Sequence, residues 1–227
     1  MDQPLAWRPE AVNTGTWLTG YTLNELLDRV PGERIVLPIC SLGTPFEQLA
    51  GLAPLVLPPL YHEALGGDLR TALLGRIQAC FPFHESTRRA GTATFEVVDV
   101  PAAVYPPPVT RPRVLAFSVD TAVEEHGPHL PLATDTLQSY AVLERLAEES
   151  DALAIAPPLD YGQLTWGLPF GLSIDITAPL LTRYVTAYAD ALTAWIAPES
   201  LYVVDVHGSI VHRTAITDGL AASGIAR

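Results

Sequence analysis

The sequence is short of cysteine, of basic residues and of long apolar runs, and each shortage excludes something. Its 227 residues include two cysteines, Cys40 and Cys80, each in an apolar setting (Ile39-Cys40, Ala79-Cys80). Two thiols in a chain of this length do not make a disulfide framework and read as buried free cysteines. The 13 basic residues stand against 25 acidic ones, a formal net charge of -12. Such a surface repels nucleic acid and anionic membranes at long range; beyond that it names no partner. No stretch reaches the ~18 apolar residues of a membrane span. The opening Met1-Asp2-Gln3-Pro4-Leu5-Ala6 has neither a basic region nor an apolar one, so a cytoplasmic protein with no membrane partner is expected. A glycine-rich phosphate loop, a Cys-x-x-Cys pair and a Gly-x-Ser-x-Gly elbow are also missing, which argues against nucleotide enzymes and serine hydrolases.

What is present suits a packed α/β protein. Apolar residues make up 48% of the chain, enough for a sizeable core in one large domain or one and a half smaller units. In the first hundred residues the pattern predicts helices over 22–30 and 68–80, the first with Thr22 as its cap. Leu69, Leu73, Leu74 and Ile77 form the apolar face of the second. Strands are expected over 35–39, 55–57 and 92–100. Residues 101–113 carry five prolines and read as a linker. Beyond it, strands at 114–119, 152–156 and 201–206 alternate with helices at 136–149, 178–196 and 214–223. Leu137, Val142, Leu143 and Leu146 are expected to face inward on the first of these helices. The alternation implies βαβ units and a mostly parallel sheet flanked by helices. Three portions are therefore expected: an N-terminal α/β extension over 1–100, the linker, and a metal-binding portion over 114–227. Val56-Leu57-Pro58-Pro59-Leu60 parallels Ile155-Ala156-Pro157-Pro158-Leu159, and Ile35 to Pro38 parallels Val114 to Phe117. The N-terminal portion could thus be a degenerate copy of the later one.

The chemistry gathers in the second half. In the extended run Glu124-Glu125-His126, Glu124 and His126 project together and Glu125 points aside. Asp135 follows, with Gly127, Pro128 and Pro131 available to turn the chain back. A carboxylate, an imidazole and a second carboxylate converging on one point suit Zn²⁺ or Mn²⁺; a Glu-x-His pair alone is more often an exposed loop. His207 directly follows the strand at 201–206, so it and Glu124 both lie at carboxyl ends of parallel strands, where open α/β sheets bind ligands. His129 either orients a ligand or caps the loop. Asp205 either faces the site or makes a structural hydrogen bond, and Trp166 either rims the site or packs in the core. His62-Glu63 and His84-Glu85 are expected to be ordinary surface pairs, and Asp160 and Asp175 solvent or turn residues.

The run from Glu124 to Asp135 resembles the creatininase family, whose members carry a strand, then Glu-Gln-His-Gly-Pro-His-Leu-Pro and, after a short gap, Thr-Asp. Here it reads Glu124-Glu125-His126-Gly127-Pro128-His129-Leu130-Pro131, then Thr134-Asp135. Pro157 to Gly162 is similar to the family's Pro-Pro-x-x-Tyr-Gly segment, and Asp205 to Ser209 to its Asn-Gly-His-Gly-Gly-Asn turn. The resemblance covers about residues 112–220. It implies a metal-dependent amidohydrolase that cleaves C–N bonds of small-molecule or peptide amides with a metal-activated water. It also implies Glu124, His126, Asp135 and His207 as ligands of one or two divalent ions, with Asp135 bridging, and assembly into homo-oligomers. The chain departs from the pattern in three places. Ser209-Ile210 puts no acid after His207; Leu164-Thr165-Trp166-Gly167 stands where the family has Ser-x-Glu-His; and no His-Ala-Gly-x-x-Glu segment precedes Arg227. A catalytically weakened scaffold subunit and a small-molecule binding module are therefore the competing readings.

Overall fold

The computed structural model describes residues 17–30, 32–81, 93–107 and 111–225. Two units share one core, each built on a parallel sheet. In the first, β1 (Arg34–Cys40) is central; β4 (Thr94–Asp99) lies on one side, and the short β2 (Leu55–Val56) and β3 (Leu60–Tyr61) lie in line on the other. In the second, β5 (Val114–Ser118) is central between β6 (Leu153–Ile155) and β7 (Ser200–Val204). The helices are α1 (Leu23–Arg29), α2 (Phe46–Ala50), α3 (Leu69–Cys80), α4 (Thr134–Glu148), α5 (Ala178–Ile196) and α6 (Ile210–Ala222). No helix among the described residues is long and apolar enough to cross a membrane.

Local chemistry accounts for the boundaries. Thr22 caps α1 through a reciprocal capping box with Glu25. α5 spans the expected residues and stops where Ala197 turns left-handed ahead of Pro198. α6 starts at Ile210, four residues before its expected start, because Ser209 accepts the His212 amide as an N-cap. α4 begins two residues early, which moves Asp135 from the loop into its first turn. Its buried face is Thr136, Ser139, Tyr140 and Leu143, and Val142 is exposed. Of the residues expected to face inward, Leu143 is fully buried and Leu137 packs against the core, whereas Val142 faces out and the polar Thr136 and Ser139 are buried in its stead. Phe46–Ala50 and Leu60–Tyr61 are elements the periodicity does not announce, being too short to carry a period.

The two units agree in hydrogen-bond register. Val36 O accepts from Leu57 N at 2.8 Å, and Ala116 O from Ala156 N at 2.7 Å. On the other flank, Glu33 O accepts from Thr94 N at 2.9 Å and Arg113 O from Ser200 N at 3.0 Å. After each Pro-Pro step the chain pairs again with the central strand, at Ile39↔Leu60 and at Val119↔Leu159. By this register Val36 corresponds to Ala116, one residue on from the parallel drawn in the sequence.

The Pro-Pro steps interrupt the ladder because proline has no N–H to donate. Buried tyrosines take up carbonyls at these breaks: Tyr161 donates to Pro58 O at 2.7 Å, Tyr188 to Pro157 O at 2.6 Å and Tyr140 to Ala156 O at 2.6 Å. Tyr161 thereby joins the second unit to the first, and Tyr61 packs on Tyr188 with ring centroids 5.5 Å apart. Cys40 and Cys80 are both buried and free. The described parts of 101–113 form neither helix nor strand, yet they are fastened: Ala103 N donates to Ser41 Oγ, and Tyr105 O accepts from the Trp195 indole.

Candidate metal centre

The second sheet delivers side chains to one point at its carboxyl ends. Beyond β5 the chain bends through Asp120 to Val123 and presents Glu124 and His126. The first turn of α4 presents Asp135, where the helix dipole favours a carboxylate. The turn after β7 presents His207, followed by Gly208 at φ 79°, a conformation that favours glycine. Glu124, His126 and Asp135 each offer a ligand atom within 4.8 Å of the others. His207 Nδ1 lies 3.0 Å from Glu124 Oε2 and 3.1 Å from Asp135 Oδ2. His126 Nε2 lies 3.1 Å from Asp135 Oδ1. All four side chains are largely buried. The four sequence-predicted ligands therefore come together.

The two imidazoles are held in the same way. His126 Nδ1 faces Glu124 O at 3.0 Å, and His207 Nε2 faces Gln163 O at 3.0 Å. A carbonyl oxygen only accepts, so each of these nitrogens carries the proton. The other ring nitrogen of each histidine then points into the carboxylates. A backbone carbonyl that fixes the tautomer from behind is the usual support of a metal-ligating histidine. The spacings also fit an ion, since donors about 2.0–2.1 Å from a tetrahedral centre stand about 3.3 Å apart.

Electrostatics inside the cluster are strong. Burial pushes the His207 imidazole down, but its hydrogen bonds with Asp135 and Glu124 outweigh burial and lift it to about 10. Burial opposes the His126 shift too, and Asp135 again overcomes it. Asp135 goes the other way: desolvation would raise it, and the two histidines hold it well below the usual carboxylate range. Both histidines are thus biased toward the imidazolium form, and a divalent ion would replace their protons.

A second ring of residues braces this one. Thr121 Oγ1 donates to Glu124 Oε2 and lies 3.1 Å from His207 Nδ1. His212 is fully buried; its Nδ1 accepts from Gln163 N at 3.1 Å, and its Nε2 meets Val119 O at 3.0 Å. Accepting at Nδ1 and facing a carbonyl at Nε2, the ring is held as the neutral tautomer, and burial lowers its pKa. Gly162 must be glycine, because a Cβ there would stand 2.3 Å from His212 Cε1. The segment after Gly162 is fixed by Asp175, which pairs with Arg76 of α3 and accepts from Leu164 N at 2.6 Å.

The remaining sequence readings divide. Asp205 stands behind the His207 turn, its Oδ1 accepting from His207 N at 3.1 Å, so it makes the structural bond. Trp166 is 88% exposed and lines the rim of a cavity of about 440 Å³, along with Glu125, Gln163, His207 and Ser209. His129 is exposed. His62 meets Val100 O at 2.9 Å, and Glu63 accepts from Leu42 N at 3.0 Å, so this pair pins loops and is not an ordinary surface feature. His84-Glu85 lies outside the described residues. Asp160 and Asp175 are buried, contrary to their reading as solvent or turn residues, because tertiary partners that local sequence cannot reveal enclose them. Gln163 and His212 were not foreseen. A histidine five residues past His207, on the first turn of a helix, was the available signal.

Residues 115–221 match the family model described as creatinine amidohydrolase, the creatininase family. Two curated relatives carry the name mycofactocin precursor peptide peptidase. The protein from Mycobacterium ulcerans (strain Agy99) is 33% identical over 112 residues, covering 46% of this chain and 43% of the relative. The one from Mycolicibacterium smegmatis (strain ATCC 700084 / mc(2)155) is 31% identical over 99 residues, 41% of this chain and 39% of the relative. The match therefore spans less than half the length of either relative. No solved structure matches the chain.

Proposed function

We propose that this protein is a metal-dependent hydrolase of creatininase type acting on a C–N bond of a small-molecule or peptide amide. The observation that carries the reading is the paired anchoring of His126 and His207. Each has one nitrogen committed to a backbone carbonyl and the other turned toward Asp135. Glu124, His126, Asp135 and His207 would hold one divalent ion, Zn²⁺ or Mn²⁺, with Asp135 in reach of both histidines. The bound ion supplies a water acidified to near neutrality and polarises the substrate carbonyl.

The chain's own residues account for the rest. Gln163 O keeps the His207 tautomer, and Thr121 holds the Glu124 carboxylate in place. Trp166 offers an exposed ring at the cavity mouth on which an apolar or planar substrate group can lie. The relatives' printed name supports a peptide amide as substrate. A cytoplasmic homo-oligomer, with no nucleic-acid or membrane partner, completes the proposal. One ion is favoured over two by the donor set, since Ser209 and Ile210 add no carboxylate beside His207.

The test is metal content per chain by elemental analysis after incubation with Zn²⁺ and Mn²⁺, alongside Asp135→Ala. One transition metal per wild-type chain and a large loss in Asp135→Ala supports the reading. No metal in the wild type removes it and leaves the binding-module alternative.

A further inference from the structure

The cavity beside the centre is one-sided in charge. Its volume of about 440 Å³ is that of a small-ligand pocket. Glu124, Glu125 and His207 are the ionisable residues of its lining, and neither lysine nor arginine is among them. Glu124 belongs to the proposed ligand set, and Glu125 lies outside the group of converging ligand atoms. Two carboxylates, Glu124 and Asp135, balance one divalent ion, and histidines that ligate do so as neutral rings. Glu125 is then the unbalanced charge of the lining. The family run Glu-Gln-His has glutamine where this chain has Glu125.

Glu125 is held in place without being neutralised. Its backbone N donates to Ser173 Oγ at 3.1 Å, and its Oε1 accepts from Gly127 N at 2.6 Å. Among the described residues Oε2 has no bonded donor and the carboxylate no ion pair. The neutral polar groups of the lining are engaged with one another: Ser209 Oγ donates to Gln163 Oε1 at 3.1 Å, and Gln163 Nε2 to Thr165 Oγ1 at 2.9 Å. The same lining carries Trp166, 88% exposed.

We propose that this cavity selects an amide bearing an alkylammonium group, as on a lysine-like side chain, with its stem on Trp166 and its cationic head at Glu125. An indole face attracts a cation and also covers an apolar stem. The carboxylate receives the head in a charge-assisted hydrogen bond. An ammonium is a compact charge that one carboxylate oxygen can receive, whereas a guanidinium fork seeks two, and Oε1 is already bonded to Gly127. The chain's net charge of -12 draws a cationic substrate in and turns an anionic one away. The inference rests on the hydrolase reading for the amide and adds the group that is recognised.

The experiment titrates the full-length protein, after incubation with Zn²⁺, with hexylammonium and with 1-hexanol by isothermal calorimetry. The two probes match in length and contain no bond to cleave. Hexylammonium should bind about tenfold more tightly, and the preference should shrink as ionic strength rises. Glu125→Gln keeps an acceptor for Gly127 N and should abolish the preference at unchanged Zn²⁺ content. Should that variant fail to fold, the salt dependence in the wild type carries the test. Equal binding of the two probes by zinc-loaded protein, or a preference that survives in Glu125→Gln or is indifferent to salt, overturns this inference and leaves the hydrolase reading standing. A wild type that holds no metal removes both together.

Discussion

His207 meets Asp135 at 3.1 Å, Nδ1 to Oδ2, across 72 residues of sequence. The same nitrogen lies 3.0 Å from Glu124, so one imidazole closes a site that the loop from Glu124 to Asp135 only half builds.

In chelator, the stability contributed by this pairing should depend on pH in one direction. The folded-state pKa of His207 is raised from 6.5 to about 10. Its contribution is therefore fully present below about pH 6.5 and is lost as pH climbs through about 10. Thermal melts in EDTA between pH 6 and pH 10 should show falling Tm. With Zn²⁺ present the trend in metal affinity reverses, since the ligand must shed its proton. A flat chelator profile would mean that the imidazolium pair is not formed.

Gly162→Ala should destabilise the fold by about 1–3 kcal/mol, the usual cost of overpacking, because the new methyl meets the buried His212 ring. Urea denaturation measures it. A neutral result would show that His212 can leave its place between Gln163 and Val119.

Arg76→Ala should cost about 3 kcal/mol, the low end for breaking a buried ion pair, since Arg76 is partly exposed while the Asp175 carboxylate it leaves behind is not. The segment carrying Gln163 and Trp166 should loosen with it, seen as faster amide exchange at Leu164. Unchanged exchange there would separate the pair from the cavity.

Trp166→Ala should leave stability within about 0.5 kcal/mol, as for an exposed side chain. If the cavity takes an apolar substrate group, KM rises while metal content holds. A fall in metal content instead would place Trp166 in the support of the ligands.

The clustering of Glu124, His126, Asp135 and His207 was legible because most of the group is contiguous: Glu124 and His126 share a face by strand geometry, and His207 abuts a strand whose apolar run marks its end. The parallel α/β architecture was legible from the same alternation. What was not legible acts at a distance. Asp175 reads as a polar loop residue until Arg76, 99 positions away, is brought to it. Asp160 looks solvated until the tyrosines of both units close around it. Val142 fits an apolar period, yet the helix rotates so that Thr136 and Ser139 face in, under the polar ends of the strands. Asp135 was expected in a loop and lies in a helix, because the boundary shifted by two residues while the side chain's target stayed the same.

The two Pro-Pro steps have a bearing on self-association. β2–β3 and β6 form flanks of the two sheets, and each has lost its backbone donors in mid-course, at Pro58-Pro59 and Pro157-Pro158. A strand from another molecule seeking to extend the β6 flank would find no more than three residues of ladder before a gap it cannot bridge, and the β2–β3 flank is buried, with Val56 already bridged to Trp17. The kinks that shape these units thereby also guard their borders against aggregation.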